Sequence, residues 1–140
     1  MRFTTPISNI LQPELIIPEG YVIREATGTN DDVKAWHRIL DTFRQTKYPK
    51  GNGDKVWFAD YEGEPIGFES VILPELFPEV VYMWTGVFLP EHQRKGLHNA
   101  ITYFRLKYAR ETGRGYVRVA CRATLDNWWR RHLIEQPDSS

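Results

Sequence analysis

The residues with the clearest capacity for chemistry lie in the stretch 90–100, which reads PEHQRKGLHNA. Here Arg94, Lys95 and Gly96 separate an apolar run from a helical pattern. Adjacent cations attract phosphate oxygens, a glycine lets the backbone approach a ligand closely, and the first N–H groups of a helix form an anion site. The spacing therefore predicts a phosphate-bearing ligand at a strand-to-helix loop. A solvated loop before a helix has the same composition and stays open as the alternative.

Other residue types that catalyse reactions are sparse. His92 and His132 are candidates for acid–base groups or for ordinary surface histidines. Cys121, the single cysteine, alternates with Val117 and Val119 in a strand pattern, which is typical of a small core residue rather than a nucleophile. One cysteine also leaves too few thiolates for the usual zinc site, so the sequence predicts no metal.

Charge is distributed unevenly although the net charge is zero. Residues 1–91 hold 8 Lys or Arg and 14 Asp or Glu, whereas residues 92–132 hold 10 and 2. The basic part indicates an anionic ligand. It also leaves open a nucleic-acid surface, on which Trp128 and Trp129 stack on bases. The acidic part indicates a cationic acceptor or serves solubility alone.

The bulk composition is that of one ordinary soluble domain. The chain has 140 residues, of which 41% are hydrophobic and 26% charged. Proline and glutamate at positions 13–14 and 18–19 interrupt the apolar N-terminal stretch before it reaches the length of a signal peptide or a membrane span. A single cysteine cannot form an intrachain disulfide, which favours a reducing compartment. We therefore expect a cytoplasmic protein without a membrane segment.

Hydrophobic periodicity predicts the elements that position the loop. Alternating patterns predict strands, and apolar residues at a spacing of three and four predict helices. The strand–helix–strand unit around the loop should form a parallel pair by a right-handed crossover. The predicted order is strand 21–26, a helix from Asn30, strands 55–61, 65–73 and 79–88, a helix from Leu97 to Gly113, strand 116–121 and a last helix over 127–136. This is an α/β fold with a mixed sheet.

The segment VFLPEHQRKGLHNA, between a hairpin and the strand YVRVAC, resembles motif A of the GCN5-related N-acetyltransferase superfamily. The family pattern is Gln/Arg-x-x-Gly-x-Gly/Ala, and the resemblance covers roughly residues 21–136. It implies an α/β fold with a mixed, mostly antiparallel sheet, a central splayed parallel strand pair and flanking helices. It also implies an N-terminal arm over residues 1–20 and a single acyl-CoA-binding domain over residues 21–140.

The same resemblance implies acetyl-CoA as co-substrate and no metal. Loop amides of residues 93–98 would hold the pyrophosphate, and the end of the preceding strand would pair with the pantetheine arm. The asparagine of the final segment would contact the pantetheine side. The implied cofactor-binding residues are Gly86, Val87, Phe88, Gln93, Arg94, Lys95, Gly96, Leu97, His98, Asn99 and Asn127.

Several positions depart from the family pattern. Ile134 stands where the family has the tyrosine that protonates the departing thiolate, and His98 stands at a loop position that is normally Gly or Ala. The chain ends at Ser140, where relatives continue into two more strands. The resemblance is therefore to a short, C-terminally reduced member. Either the N-terminal arm or a second subunit must then cover the exposed sheet edge, so we expect a homodimer.

The resemblance predicts an N-acyltransferase that moves an acetyl group to a primary amine of a small molecule, a protein lysine or an N-terminus. Glu69 is the candidate base, because its strand adjoins the cleft in this fold. Between Phe68 and Ser70, however, it is also typical of an outward-facing solvated residue. Two other functions stay open: a catalytically weak CoA-binding interaction protein, and a nucleic-acid-directed binder or modifier that uses the basic part.

Overall fold

A computed structural model describes residues 2–42, 55–120, 129 and 131–133 of the chain. These residues form strands β1 (Arg2–Pro6), β2 (Tyr21–Glu25), β3 (Lys55–Tyr61), β4 (Glu64–Ile72), β5 (Val80–Phe88) and β6 (Tyr116–Ala120). They also form the helices α1 (Asn30–Thr42) and α2 (Leu97–Glu111), with short 3-10 turns at Ile7–Asn9 and Pro90–His92.

The strands pair into one mixed sheet in the order β1-β6-β5-β4-β3-β2. Only β5 and β6 run parallel, from Val80↔Tyr116 to Trp84↔Ala120, and the other described pairs are antiparallel. The helix α2 connects the two parallel strands, as the crossover rule requires. The predicted mixed, mostly antiparallel α/β fold is confirmed.

Each helix covers one face of the sheet. The buried face of α1 packs on Phe58 of β3 and Phe68 of β4. This face consists of Ala35, Trp36, Ile39 and Leu40. Val33 lies at helical spacing from Trp36 but is 45% exposed. The first turn carries Asp31 and Asp32, where negative charge favours the positive end of the helix.

The larger apolar cluster lies under α2. Leu97, Ala100, Ile101, Leu106 and Ala109 are buried along the helix. They meet the sheet face formed by Trp57, Ala59, Val71, Val81, Met83, Val117 and Val119. Phe104 and Tyr108 follow the same helical spacing but are only partly buried. The buried face is turned toward Thr102 and Arg105 instead.

The N-terminal residues extend the sheet. Over Arg2–Pro6 the chain pairs antiparallel with β6, from Arg2↔Ala120 to Pro6↔Tyr116. Ile10 enters the core at 2% exposure and pairs with Leu133 in an isolated bridge. Of the two expected ways to cover the edge of β6, the structure shows the chain's own first residues. A homodimer stays a prediction.

The last helix, predicted over residues 127–136, lies mostly outside the described residues. The same holds for Asn127 and Ile134. No helix of the described chain is long and apolar enough to cross a membrane.

Candidate functional site

The loop before α2 presents a series of backbone donors. Gly96 is the N-cap of the helix with φ of +85°, a left-handed conformation that suits glycine, and its position has open space for a side chain. The backbone N–H groups of Arg94, Lys95, Gly96 and Leu97 find no backbone acceptor within the described residues. Arg94 itself holds a φ of +61°, an uncommon conformation for a residue other than glycine. Backbone donors of this kind, together with the positive end of the helix dipole, favour a negatively charged ligand.

The side chains around the loop separate into two groups. Arg94 and Lys95 are exposed and form no ion pair with any described residue. Gln93 folds back, because its Nε2 donates to the Phe88 carbonyl at 3.0 Å. Asn99 Nδ2 donates to the carbonyl of Glu14 at 3.2 Å. Among these four predicted cofactor-binding residues, the two cations therefore face solvent, while the side-chain amides of the other two bind backbone carbonyls of the protein.

A β-bulge shapes β5 just before the loop. The pairing of β4 with β5 slips between Phe68↔Val87 and Ser70↔Trp84, so that one residue of β4 faces two of β5. A Cβ atom on Gly86 would lie 1.6 Å from the Phe68 carbonyl oxygen, which excludes any side chain there. The pairing of β5 with β6 is described only as far as Trp84. Beyond this point of β5, Val87 and Phe88 pair with Phe68 and Gly67 of β4.

Glu69 lies opposite this bulge and is buried. Its side chain is 1% exposed, so the alternative of a solvated, outward-facing residue is wrong. His98 Nδ1 lies 2.8 Å and 2.9 Å from the two carboxylate oxygens. The carboxylate thus accepts a hydrogen bond from Nδ1–H of His98. His98 is the second residue of α2, and its side chain points toward β4.

Arg105 is the other partner of Glu69, and the sequence analysis did not single it out. Its Nη2 donates to Glu69 Oε2 at 2.9 Å and to Thr102 Oγ1 at 2.7 Å. Its Nη1 donates to the carbonyls of Ser70 and Trp84 at 3.3 Å and 3.2 Å. Burial lowers the pKa of Arg105, and the charge of Glu69 acts in the opposite direction. The sequence carried one signal, the polar positions 102 and 105 at helical spacing beside apolar ones.

His92 connects the start of the loop to the strands β2 and β3. Its Nδ1 shares a hydrogen bond of 2.7 Å with Tyr21 Oη, and its ring packs against Tyr61 at 5.0 Å between centroids. Burial, followed by the nearby Tyr61 hydroxyl, raises the pKa of Tyr21. His92 therefore has a structural partner.

Part of the basic stretch 92–132 binds groups of the protein itself. Trp129, the described member of the tryptophan pair, is 1% exposed and lies 5.9 Å from Arg105 Cζ, so its interpretation as a base-stacking surface residue is wrong. Arg110 donates to the Ile10 carbonyl. Arg114 donates to the carbonyls of the β4–β5 connection. Trp128, Asn127 and Cys121 lie outside the described residues.

The described part of the chain contains no group of three or more His, Cys, Asp or Glu side chains close enough to hold a metal ion. The site is therefore described by its backbone donors, its two exposed cations and the buried cluster behind them.

Comparison with protein families gives one match. A model of the acetyltransferase (GNAT) family matches residues 21–136, which contain the loop, the bulge and the buried cluster. No curated protein matches the chain.

Solved structures share the fold at low sequence identity. A GCN5-related N-acetyltransferase from Kribbella flavida is 18% identical with a TM-score of 0.64, covering 96% of this chain and 52% of its own. An aminoglycoside acetyltransferase from an uncultured soil metagenomic sample, solved with sisomicin, is 15% identical with a TM-score of 0.60, covering 84% and 92%. A ribosomal-protein-alanine N-acetyltransferase from Brucella melitensis biovar Abortus 2308 is 17% identical with a TM-score of 0.61, covering 86% and 94%. The chain thus spans about half the length of the Kribbella protein.

Proposed function

Because the chain belongs to the acetyltransferase (GNAT) family, we propose that it is an N-acyltransferase that moves an acetyl group from acetyl-CoA to a primary amine. The observation that carries the proposal is the loop before α2. There the backbone donors of residues 94–97 have no backbone acceptor in the described chain, and Gly96 leaves open space beside them. A diphosphate, which CoA contains, is the kind of anion that such a helix start binds.

The residues of the site suit two parts of CoA, the diphosphate and the pantetheine arm. The amides of residues 94–97 would hold the diphosphate, and the exposed side chains of Arg94 and Lys95 would add positive charge. The backbone of residues 86–88, of which Val87 and Phe88 pair with β4 on one edge, would pair along its other edge with the amides of the pantetheine arm. Both parts belong to the stretch that ends β5 and begins α2.

The thioester of acetyl-CoA supplies the activated acyl group, and the acceptor amine attacks it only in the neutral form. A positioned base contributes about 10²–10⁴-fold to the rate, and correct positioning of the two reactants often contributes more. Glu69 is buried and already binds Arg105 and His98, so its carboxylate is not open to an acceptor amine. The proposed activity therefore rests mainly on positioning.

We keep a small-molecule amine and a protein amino group as acceptor classes. The similar structures include an aminoglycoside acetyltransferase and a ribosomal-protein-alanine N-acetyltransferase, which differ in this respect. The acidic residues of the β3–β4 hairpin give only weak support for a cationic acceptor. Two of them, Asp60 and Glu69, are already paired with arginines of the protein.

The test is a pair of matched glycine variants. Gly96 and Gly113 both have a left-handed φ, and neither has an atom within 4 Å of the point that a Cβ would occupy. Leucine at either position should cost a similar ~1–2 kcal/mol of unfolding free energy. Only Gly96→Leu should weaken acetyl-CoA binding. We expect the Kd to rise by about tenfold or more, the effect of losing one contact to an anion, and calorimetry measures it. Equal binding by both variants, or no binding of CoA by the wild type, would refute the proposal.

A CoA-binding protein with little turnover is the second candidate, and the burial of Glu69 favours it. Thiol release from acetyl-CoA in the presence of amine pools separates the two. Release above the water background supports the transferase, and binding without release supports the second candidate. A nucleic-acid function would show an affinity that falls steeply with salt and that is equal in Gly96→Leu and Gly113→Leu.

A further inference from the structure

The bulge between β4 and β5 creates a local need for hydrogen-bond donors. Because the ladder slips beside Glu69, the regular exchange of backbone bonds is interrupted next to the pair Ser70↔Trp84. A backbone carbonyl that is buried without a donor is costly. Here the carbonyls of both residues accept from a single nitrogen, Arg105 Nη1. The guanidinium therefore bridges the two strands at the bulge.

This guanidinium lies in a place that is unfavourable for an isolated charge. Arg105 is 0% exposed, and burial lowers its pKa. The counter-charge comes from Glu69, which is 1% exposed and acts only as an acceptor when ionised. A buried pair of this kind often contributes little net stability against apolar residues, whereas the loss of one partner is strongly destabilising. Its value then lies in the geometry that it imposes.

The carboxylate also reaches the start of α2. His98, the second residue of the helix, binds both oxygens of Glu69, while Arg105 lies two turns further along the same helix. Glu69 thus connects the bulge of β5 to the first turns of α2. These are the two elements that, under the proposed function, hold the pantetheine arm and the diphosphate.

We propose that Glu69 and Arg105 form an internal brace, and that Glu69 is a positioning residue for acyl-CoA binding and not the base that deprotonates the acceptor amine. The inference rests on the proposed function. The brace holds the bulge of β5 and the start of α2 at a fixed separation, so that one CoA molecule meets both. An acceptor amine has no access to the carboxylate, whose oxygens are occupied by the guanidinium and the imidazole.

The experiment is a double-mutant cycle with Glu69→Gln, Arg105→Met and the double variant in the full chain. Each single variant leaves one buried charge without its partner and should lower Tm by roughly 10–20 °C. Each should also weaken CoA binding by at least about tenfold. The double variant has no unpaired charge, so its Tm should return part of the way to the wild-type value, although the carbonyls of Ser70 and Trp84 still lack their donor. Its Kd for CoA should stay weaker than that of the wild type by about tenfold, as in the single variants, because the brace is absent.

The enzymatic readout separates positioning from proton transfer. If Glu69 positions CoA, the double variant keeps kcat within roughly tenfold of wild type and keeps the wild-type pH profile, with the remaining effect in KM for acetyl-CoA. If Glu69 is the base, the double variant recovers stability and CoA affinity, but its kcat stays lower by about 10²–10⁴-fold and one limb of the pH profile disappears. That second result would overturn the inference.

Two further comparisons keep the outcome decisive. Leu40→Ala, in the separate apolar cluster under α1, lowers Tm without touching the brace and should leave the Kd for CoA unchanged. If the single variants do not fold, the double variant against wild type and Leu40→Ala decides alone. Additive losses in the double variant would contradict the brace while leaving the proposed function intact. A wild-type protein that binds no CoA removes both proposals.

Discussion

Two arginine clusters lie on opposite faces of the sheet, and they use the same chemistry in different surroundings. On the α1 face, Arg24 donates to Asp60 at 2.6 Å and to Asp32 at 2.9 Å. On the α2 face, Arg105 has one carboxylate, Glu69, and satisfies its other donors with Thr102 and backbone carbonyls. The Arg24 side chain is 32% exposed and that of Arg105 is 0% exposed. Water access is the main difference.

The two pKa shifts have opposite signs for this reason. The hydrogen bond to Asp32 raises the pKa of Arg24 despite some burial, whereas burial dominates at Arg105 and lowers its pKa. The Arg24 pair, whose arginine is partly exposed to water, therefore behaves as a stabilising ion pair. A fully buried one bears a desolvation cost, which indicates that its benefit is a fixed arrangement of the strands. The α1 cluster anchors a helix start, and the α2 cluster holds the bulge beside the candidate site.

The largest expected effect comes from the bulge that Arg105 bridges. Gly86→Ala places a Cβ 1.6 Å from the Phe68 carbonyl oxygen, so β5 must move away from β4. We expect a loss of about 3 kcal/mol or more of unfolding free energy, measured by urea denaturation, together with loss of CoA binding.

The control for Gly86→Ala is Gly113→Ala. Its φ of +77° carries backbone strain without any close atom, and about 1 kcal/mol is expected. Equal stability of the two variants would mean that the strands can separate freely at the bulge. The Arg105 cluster would then not hold the bulge in a fixed arrangement.

A middle-sized effect is expected from Asp32 in the α1 cluster. Its hydrogen bond from Arg24 lowers the pKa of Asp32. A carboxyl group with a lowered folded-state pKa stabilises the fold above its unfolded pKa, near 4, and this stability is lost as pH falls through the folded value. Asp32→Asn should cost about 2 kcal/mol at pH 7, and the difference from wild type should shrink below about pH 4. Urea denaturation at several pH values measures both.

Asp31→Asn is the matched control for this variant. Asp31 lies in the same helical turn and is exposed, so its substitution should change the unfolding free energy by no more than about 0.5 kcal/mol at any pH. A difference between wild type and Asp32→Asn that stays constant down to pH 2 would contradict the role of the ionised carboxylate.

The smallest effect is expected where exposure is greatest. Glu64 and Arg38 lie 3.9 Å apart with side chains that are 75% and 52% exposed. Glu64→Gln should change the unfolding free energy by less than about 0.5 kcal/mol, at low and at high salt. A loss as large as that of Asp32→Asn would show that the exposure of an ion pair does not determine how much it contributes to stability.

Local patterns in the sequence predicted most of the described elements. The helix after Asn30, the hairpin, the strand before the loop, α2 and β6 all appear within a few residues of their predicted bounds. They are predictable because alternation and helical spacing are properties of neighbouring residues. The pairing of Arg2–Pro6 with β6 was foreseen only as one of two ways to cover the edge, since nothing local selects a partner strand.

The candidate site was predicted only in part. The glycine and cation pattern located the loop before α2, because the requirements of a helix start are local. The sequence left Glu69 open between a base and a solvated residue, and it gave no role to Arg105. Burial of polar side chains depends on which partners the fold brings together from positions 29 and 36 residues away.

By itself the sequence determined the order of strands and helices, the position of the glycine-containing loop before α2 and the family resemblance, because each depends on short-range spacing. Only the tertiary structure decided that Glu69 faces inward. The slip of one residue between β4 and β5 opens carbonyls that need a donor, and a buried guanidinium that supplies it needs a counter-charge. Both requirements arise from contacts between distant segments in a medium without water, where an unpaired polar group is costly.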